Sequence, residues 1–516
     1  MADNTDNNNK YHNPVVTTTS GRVRGRRVSD RVMRFTHIPY ARAPLGEFRF
    51  LAPGSAVKWE GVRDGTEHGP SCIQPYDEFE ANSLLEQSED CLWLSIWTQG
   101  LDDQKRPVMV FIHGGGFIGG GAGADFYDGT QFSDRGDVVL VSIQYRVGIT
   151  GWLDLEELGG EAYRNSKNNG LLDQLEALRW INTNISNFGG DPDNITIFGE
   201  SAGSSSVLTL MVMPAAKGLF QKVIGQSCTF DYHRTAERCR NTTRKFLQIT
   251  NISRIDKVLE LKSSQIVDVL NRMSEESPYP SDWLFGPVFD GDILPNDPYA
   301  YIREGNTAGI PVMHGTTADE YQLWLLYSGD QIRKDPRKEL GRFVQEIVRI
   351  TDDQLDRLVE IQKSLYPQRS EIEQYLDITS WMFFRYPHSR LSAVQSPHAP
   401  VWQYLFTWKS PNHTDLGAYH GIEMDFVFHH PAGRQIRDTS IFKGIDPPIQ
   451  LIDQVQDAWL AFARNGDPNH KGLPHWPRYQ DTDRPTMIFG ENCGAKDNIN
   501  PEMLEGFEAF GTNYGF

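Results

Sequence analysis

Short runs of apolar, largely β-branched residues alternate with longer stretches of helical spacing along most of the chain. Pro107-Val-Met-Val-Phe-Ile112 and Val138-Val-Leu-Val-Ser-Ile143 are bounded by turn residues, the pattern of strands buried on both faces. Between 170 and 187, apolar residues fall at Leu171, Leu172, Leu175, Leu178 and Ile181. That spacing predicts a helix, stopped by Gly189-Gly190. Asn194-Ile-Thr-Ile-Phe198 predicts another strand, ending in Gly199. Ile310-Pro-Val-Met-His314 and Val401-Trp-Gln-Tyr-Leu-Phe406 predict two more. Strands that alternate with helices imply an α/β fold with a mostly parallel central sheet flanked by helices. The segments 230–285 and 325–390 are charged and helix-like, and are expected to form cap insertions over the loop end of the sheet.

Composition narrows the function classes. The 516 residues carry 50 Lys and Arg against 68 Asp and Glu, a net charge of −18. Nucleic acid demands a basic stripe, so that balance argues against it. A hydrophobic share of 39% supplies a large core, which excludes wholesale disorder. Five cysteines without a C-x-x-C pair make neither a disulfide scaffold nor a zinc motif. No metal or other cofactor is expected. No run approaches the roughly 18 apolar residues of a membrane span. The start, MADNTDNNNKYHNP, has no secretory pattern, so a cytoplasmic location is expected, with secretion as the alternative if a leader has been trimmed. Residues 1–13 are expected to be a disordered lead-in. No repeat or low-complexity linker follows.

Two glycine motifs carry candidate chemistry. Gly199-Glu-Ser-Ala-Gly203 fits G-x-S-x-G and directly follows a predicted strand. A turn this tight has no room for side chains beside the serine, so it lifts the Ser201 hydroxyl to a helix N-terminus. There the N–H of Ala202 points at a developing oxyanion. A G-x-S-x-G match alone is weak evidence in a glycine-rich chain; the preceding strand strengthens it. His113-Gly-Gly-Gly-Phe117 also follows a strand, and its bare glycines expose N–H groups at Gly115 and Gly116. A phosphate loop would carry Lys-Ser/Thr after its glycines, whereas Phe117-Ile118 follows here.

A serine nucleophile needs a histidine, and the histidine a carboxylate, in the chain order serine, acid, histidine. Asp319 and Glu320 both follow the predicted strand at 310–314. His420, His429 and His430 follow the strand at 401–406. Spacing does not choose within either set, and a surface or structural role is the default for any one of the 14 histidines.

These residues resemble the type-B carboxylesterases, the cholinesterase-like branch of the α/β-hydrolase fold, and are most similar to its bacterial para-nitrobenzyl-esterase-type members. The resemblance runs from about 14 to 490. It rests on Ile38-Pro-Tyr-Ala41, Ser88-Glu-Asp-Cys-Leu92, His113-Gly-Gly-Gly-Phe117, Tyr145-Arg-Val-Gly148, Asn194 to Gly203 and Met213-Pro-Ala-Ala-Lys-Gly-Leu-Phe220. It implies a triad of Ser201, Glu320 and His420, the acid lying in T-x-D-E and the histidine in H-x-x-E-x-x-F-V-F. It also implies an oxyanion hole of Gly115, Gly116 and Ala202, with Glu200, Ser227 and Glu423 as supports behind the triad. Phe117, Trp283 and Phe285 are implied to line the substrate pocket, and Arg49–Glu89 and Arg146–Asp173 to be buried pairs. A disulfide is implied between Cys72 and Cys91, open in a reducing compartment.

Departures bound the carry-over. Ala81 stands where cholinesterases place a choline-binding Trp, and the surrounding loop offers only Tyr76 and Phe79 as aromatics. His37, Ser204 and Cys228 replace glycines usual in the family. Trp283 reads equally as a wall of the acyl pocket or as an ordinary core aromatic. Catalytic parts at 113, 201, 320 and 420 must converge, so 14–516 is expected to be one domain rather than the three that length suggests. The expected activity is hydrolysis of small uncharged carboxylic esters through an acyl-enzyme. The alternatives are the same machinery acting on carbamates, amides or lactones, and a non-catalytic adhesion or scaffold member of the fold.

Overall fold

The computed structural model describes residues 13–76, 86–277, 283–433, 435–436 and 439–510. All but the last residue of the expected lead-in 1–13 lies outside them, as do Phe79 and Ala81. Among the described residues eleven strands form one sheet. In chain order they are β1 (Arg26–Arg27), β2 (Met33–Pro39), β3 (Trp93–Thr98), β4 (Arg106–Ile112), β5 (Val139–Ile143), β6 (Gly190–Glu200), β7 (Lys222–Gln226), β8 (Val312–Thr317), β9 (Val401–Phe406), β10 (Thr486–Phe489) and β11 (Gly494–Lys496). Their spatial order is β11-β10-β9-β8-β7-β6-β4-β5-β3-β2-β1. Every pairing from β5 across to β10 is parallel. The outer strands add on antiparallel.

The alternation of side chains along β4 shows how the layers arise. Val108, Val110 and Ile112 enter one apolar cluster with Leu171, Leu175 and Leu178 of α1 (Asn169–Asn184). Met109 and Phe111 point the other way. They meet Ile452, Val455 and Trp459, residues that belong to a long helix near the C-terminus, Ile449–Asn465. One strand thus feeds two cores, and the sheet is covered on both faces.

Most predicted elements stand, with shifted ends. The predicted helix closes as a 3-10 turn, Ile185–Phe188, capped by Gly189 at φ 74. The strand expected at 310–314 starts instead at Val312 and runs on to Thr317, because Pro311 has no N–H to give the ladder. Helices occupy much of 230–285 and 325–390, including Ala236–Thr250, Ser263–Glu275, Asp352–Leu365 and Glu371–Ser380. Those of 325–390 join Trp283 and a C-terminal helix, Pro501–Ala509, in a third apolar cluster.

Arg146, just after β5, makes a fork with Asp173 of α1: Nε donates to Oδ2 at 2.8 Å and Nη2 to Oδ1 at 2.7 Å. Both side chains are out of solvent. Arg49 pairs with Glu89 in the same way, Nε donating to Oε2 at 2.6 Å. A buried charge stripped of its partner costs about 3–5 kcal/mol. Asp173→Asn is therefore expected to lower conformational stability by about that amount, read as a drop in the urea unfolding midpoint. A change under about 1 kcal/mol would show that water reaches the pair.

Cys72 and Cys91 are buried free thiols, so the implied disulfide is not formed. A thiol–thiol hydrogen bond links them instead, and it is the main cause lowering Cys72 and raising Cys91 from the usual thiol pKa.

Candidate active site

β6 ends at Glu200, and Ser201 bridges to α2 (Ala202–Met211) with φ 57 and ψ −127. A non-glycine residue rarely adopts such a conformation, and it persists only where its surroundings enforce it. The enforcement is visible at Gly203, where a Cβ would fall 2.0 Å from the carbonyl oxygen of Ile112. The backbone N–H of Ser201 donates to Gln226 O at 2.9 Å, tying the turn to the end of β7.

The loop after β4 is built from the same closeness. Gly115 has φ 99, and a Cβ there would meet Gly119 O at 2.4 Å. The loop is held mainly through its carbonyls and its far end. Ile118 and Gly119 donate to Gly115 O at 3.0 Å each, Tyr145 Oη donates to His113 O at 2.9 Å, and the Gln74 amide bridges Gly120. Among the described residues the N–H groups of Gly115 and Gly116 have no acceptor. Ala202 is the first residue of α2, where a helix leaves its N–H unpaired. The loop touches the serine turn directly, since a Cβ on Gly114 would lie 3.1 Å from Ser201 Cβ. His113 itself is buried and stacked on Tyr145, and burial drops its pKa to about 4.

Glu320 and His420 meet behind this turn. Nδ1 of His420 lies 2.6 Å from Glu320 Oε2, and Glu320 Oε1 accepts the Thr317 N–H at 2.7 Å. His420 Nε2 is buried 3.2 Å from Glu200 Oε1, the carboxylate next in sequence to Ser201. Burial works to lower the His420 pKa, but Glu200 and Glu320 outweigh it and lift it to about 9. Glu423 is fully buried and pushed up to about 8, first by burial and then by Glu200 and Glu320. Its Oε1 takes the Gln226 Nε2 donor at 3.3 Å. Ser227 follows with φ 76 and a buried hydroxyl.

The two open choices of the sequence separate here. Asp319 faces away from the imidazole and braces the histidine loop, accepting Ala418 N–H at 2.9 Å and pairing with Lys409 at 2.8 Å. His429 and His430 are engaged with Asp453 and Asp425. Phe117 stacks on Tyr232, which meets Trp283 edge-on at 4.7 Å. Phe285 shares the apolar cluster of Phe117, whereas Trp283 packs on Phe383 at 4.5 Å in the third cluster. Tyr76 is 70% exposed. His37, in a glycine's place, takes φ 53, and the Ser204 hydroxyl donates to the Cys228 carbonyl, so two of the departures touch.

Two neighbours escaped sequence reasoning. Trp324 and Phe384 lie 5.3 and 5.1 Å, centroid to centroid, from the His420 ring. Trp324 sits four residues past Glu320, a helical spacing that offered a signal. Phe384 comes from a π-helical turn, Trp381–Arg385, and nothing in its local sequence points to the histidine.

A parallel sheet with a strained serine at a strand-to-helix turn defines an α/β-hydrolase. The chain matches the Carboxylesterase family over residues 12–505. It is 36% identical over 506 residues to the para-nitrobenzyl esterase of Bacillus subtilis (strain 168), covering 95% of this chain and 98% of that protein. It is 33% identical to the cocaine esterase of Homo sapiens, covering 90% and 86%. The crystal structure of the Geobacillus stearothermophilus carboxylesterase EST55 at pH 6.2 superposes with a TM-score of 0.85 at 35% identity, covering 95% of this chain and 99% of that one. The chain belongs to the carboxylesterase family, in its type-B branch, and is a carboxylic ester hydrolase. Among the described residues no helix is long and apolar enough to cross a membrane.

Proposed function

We propose that the protein hydrolyses small uncharged carboxylic esters through an acyl-enzyme formed on Ser201. The observation that carries this reading is the Glu320–His420 contact at 2.6 Å, with the far nitrogen of the imidazole beside the Glu200–Ser201 turn. The Ser201 oxygen attacks the ester carbonyl while Nε2 of His420 takes its proton. Glu320 orients the ring and stabilises the imidazolium. Developing charge on the carbonyl oxygen meets the N–H groups of Gly115, Gly116 and Ala202, each such donor being worth about 2.7–4 kcal/mol. His420 then protonates the leaving alcohol, and later removes a proton from the water that frees the acid.

Phe117, Tyr232 and Trp283 form a continuous aromatic row, and as a pocket wall it would favour an uncharged acyl or alcohol group. Phe384, which lies within 325–390 and flanks His420, supports reading that helical segment as a cap; 230–285 is read as its companion in one domain spanning 14–516. A chain-length series of p-nitrophenyl esters, run beside matched carbamates and anilides, tests the substrate class. Short neutral esters are expected to give the highest kcat/KM, and a higher value for any carbamate or anilide overturns the reading.

Glu200 is the carboxylate that raises His420 most. A general base works only when unprotonated, so activity falls as pH drops through its pKa. Glu200→Gln is accordingly expected to move the acid limb of the kcat/KM profile to lower pH. An unmoved limb would mean that another group controls it.

A further inference from the structure

One buried assembly of titratable groups plays no part in the reading above. His314 lies on β8 and His388 on the helix Tyr386–Gln395, and both are fully buried. Their rings lie side by side with planes 20° apart and centroids 4.7 Å apart, and their Nδ1 atoms approach to 2.5 Å. His388 Nε2 lies 2.9 Å from the Ser227 carbonyl oxygen, and His314 Nε2 lies 2.8 Å from Ser392 Oγ. Two nitrogens so close leave no room for a shared ion, since ligation at about 2.0–2.1 Å in tetrahedral geometry holds them more than about 3 Å apart.

Chemistry fixes where the protons sit. A carbonyl only accepts, so Nε2 of His388 carries the hydrogen. Burial keeps both rings neutral, holding His388 near a pKa of about 4 and His314 well below its ordinary value. Nδ1 of His388 must then accept, so Nδ1 of His314 donates to it. Nε2 of His314 in turn accepts from the Ser392 hydroxyl. With neutral rings, only this proton arrangement satisfies all three contacts, and it runs from Ser392 to Ser227.

The end of the run is a strained turn. Ser227 has φ 76, which must be imposed from outside. Its N–H donates to Gly315 O at 2.8 Å, next to His314. On its other side, Gln226 O accepts from Ser201 N at 2.9 Å and from Cys228 N at 3.1 Å. The Cys228 carbonyl takes the Ser204 hydroxyl. Each of these turn carbonyls is thus held by a named donor, and the carbonyl of Ser227 depends on His388.

We propose that Ser392, His314 and His388 form a directional hydrogen-bonded strut that holds the Ser227 turn and thereby fixes the backbone of Ser201. Both histidines are positioning residues for the acyl transfer, an inference that rests on Ser201 being the nucleophile. Displacement of reacting groups by a fraction of an ångström lowers turnover without changing how substrate docks.

The test compares H388L with H388Q in the full-length enzyme, with kcat expressed per active site titrated by a p-nitrophenyl ester burst. H388L is expected to lose about tenfold or more in kcat, with KM changed by less than about twofold. H388Q keeps an N–H for Ser227 and an acceptor for His314, and is expected to restore kcat to within about threefold of the parent. A parental kcat for H388L overturns the strut. So does an H388Q that falls as far as H388L. If H388L does not fold, H314L and H314N give the same comparison at the other ring, the amide N–H of H314N replacing the Nδ1 donor. Turnover and burst that survive in S201A would instead overturn the nucleophile assignment, a result separable from both comparisons.

Discussion

Ser201→Ala is expected to cut kcat for p-nitrophenyl acetate by at least about 10,000-fold while leaving the folded protein intact. The change removes one oxygen and keeps the Cβ, so nothing new enters the turn that Gly203 and Ile112 close so tightly. The strained φ of 57 is a property of the backbone, and alanine meets it at much the same cost as serine. On the proposed mechanism the N–H groups of Gly115, Gly116 and Ala202 and the aromatic row remain, and they alone give a residual rate above that in water. The expected signature is therefore a vanished acyl-enzyme burst, with slow, burst-free turnover left behind. Far-UV circular dichroism and the unfolding midpoint should match the parent. If S201A keeps more than about one tenth of the parental kcat, the nucleophile lies elsewhere.

The parts that were legible in the sequence are those where sterics leave one solution. Gly199 and Gly203 mark the serine turn because a Cβ at either would strike backbone. The strands were legible where β-branched runs are buried on both faces, as at β4 and β5. β7, with a lysine at one end, a glutamine at the other and a glycine inside, gave no such run. Asp319 and Glu320 could not be told apart by spacing, because consecutive residues at a turn leave in different directions. One braces Ala418 and the other meets His420. The resemblance to the family, not periodicity, supplied Glu320 and His420. His314 and His388 were invisible for another reason: 74 residues separate them, and each alone looks like any histidine. Their meaning exists only as a pair.

Glu320→Gln is expected to be nearly as damaging as loss of the nucleophile, with kcat down about 10,000-fold, although the two side chains match in size and shape. The reason lies in the second oxygen. Oε1 accepts the Thr317 N–H at 2.7 Å and Oε2 faces His420 Nδ1 at 2.6 Å. An amide has one acceptor and one donor end. The Thr317 N–H is backbone and cannot change role, so the amide oxygen must serve it and the NH2 must face the imidazole. Nδ1 can then only accept, which forces the ring proton onto Nε2. In that tautomer Nε2 has no lone pair for the Ser201 proton, and the base is disabled while standing in place. If negative charge alone mattered, E320Q and E320A would be equal. If shape alone mattered, E320Q would be close to the parent. The tautomer argument predicts that E320Q falls below E320A, where the ring is free to take either tautomer, and an E320Q variant above about one tenth of parental kcat overturns it.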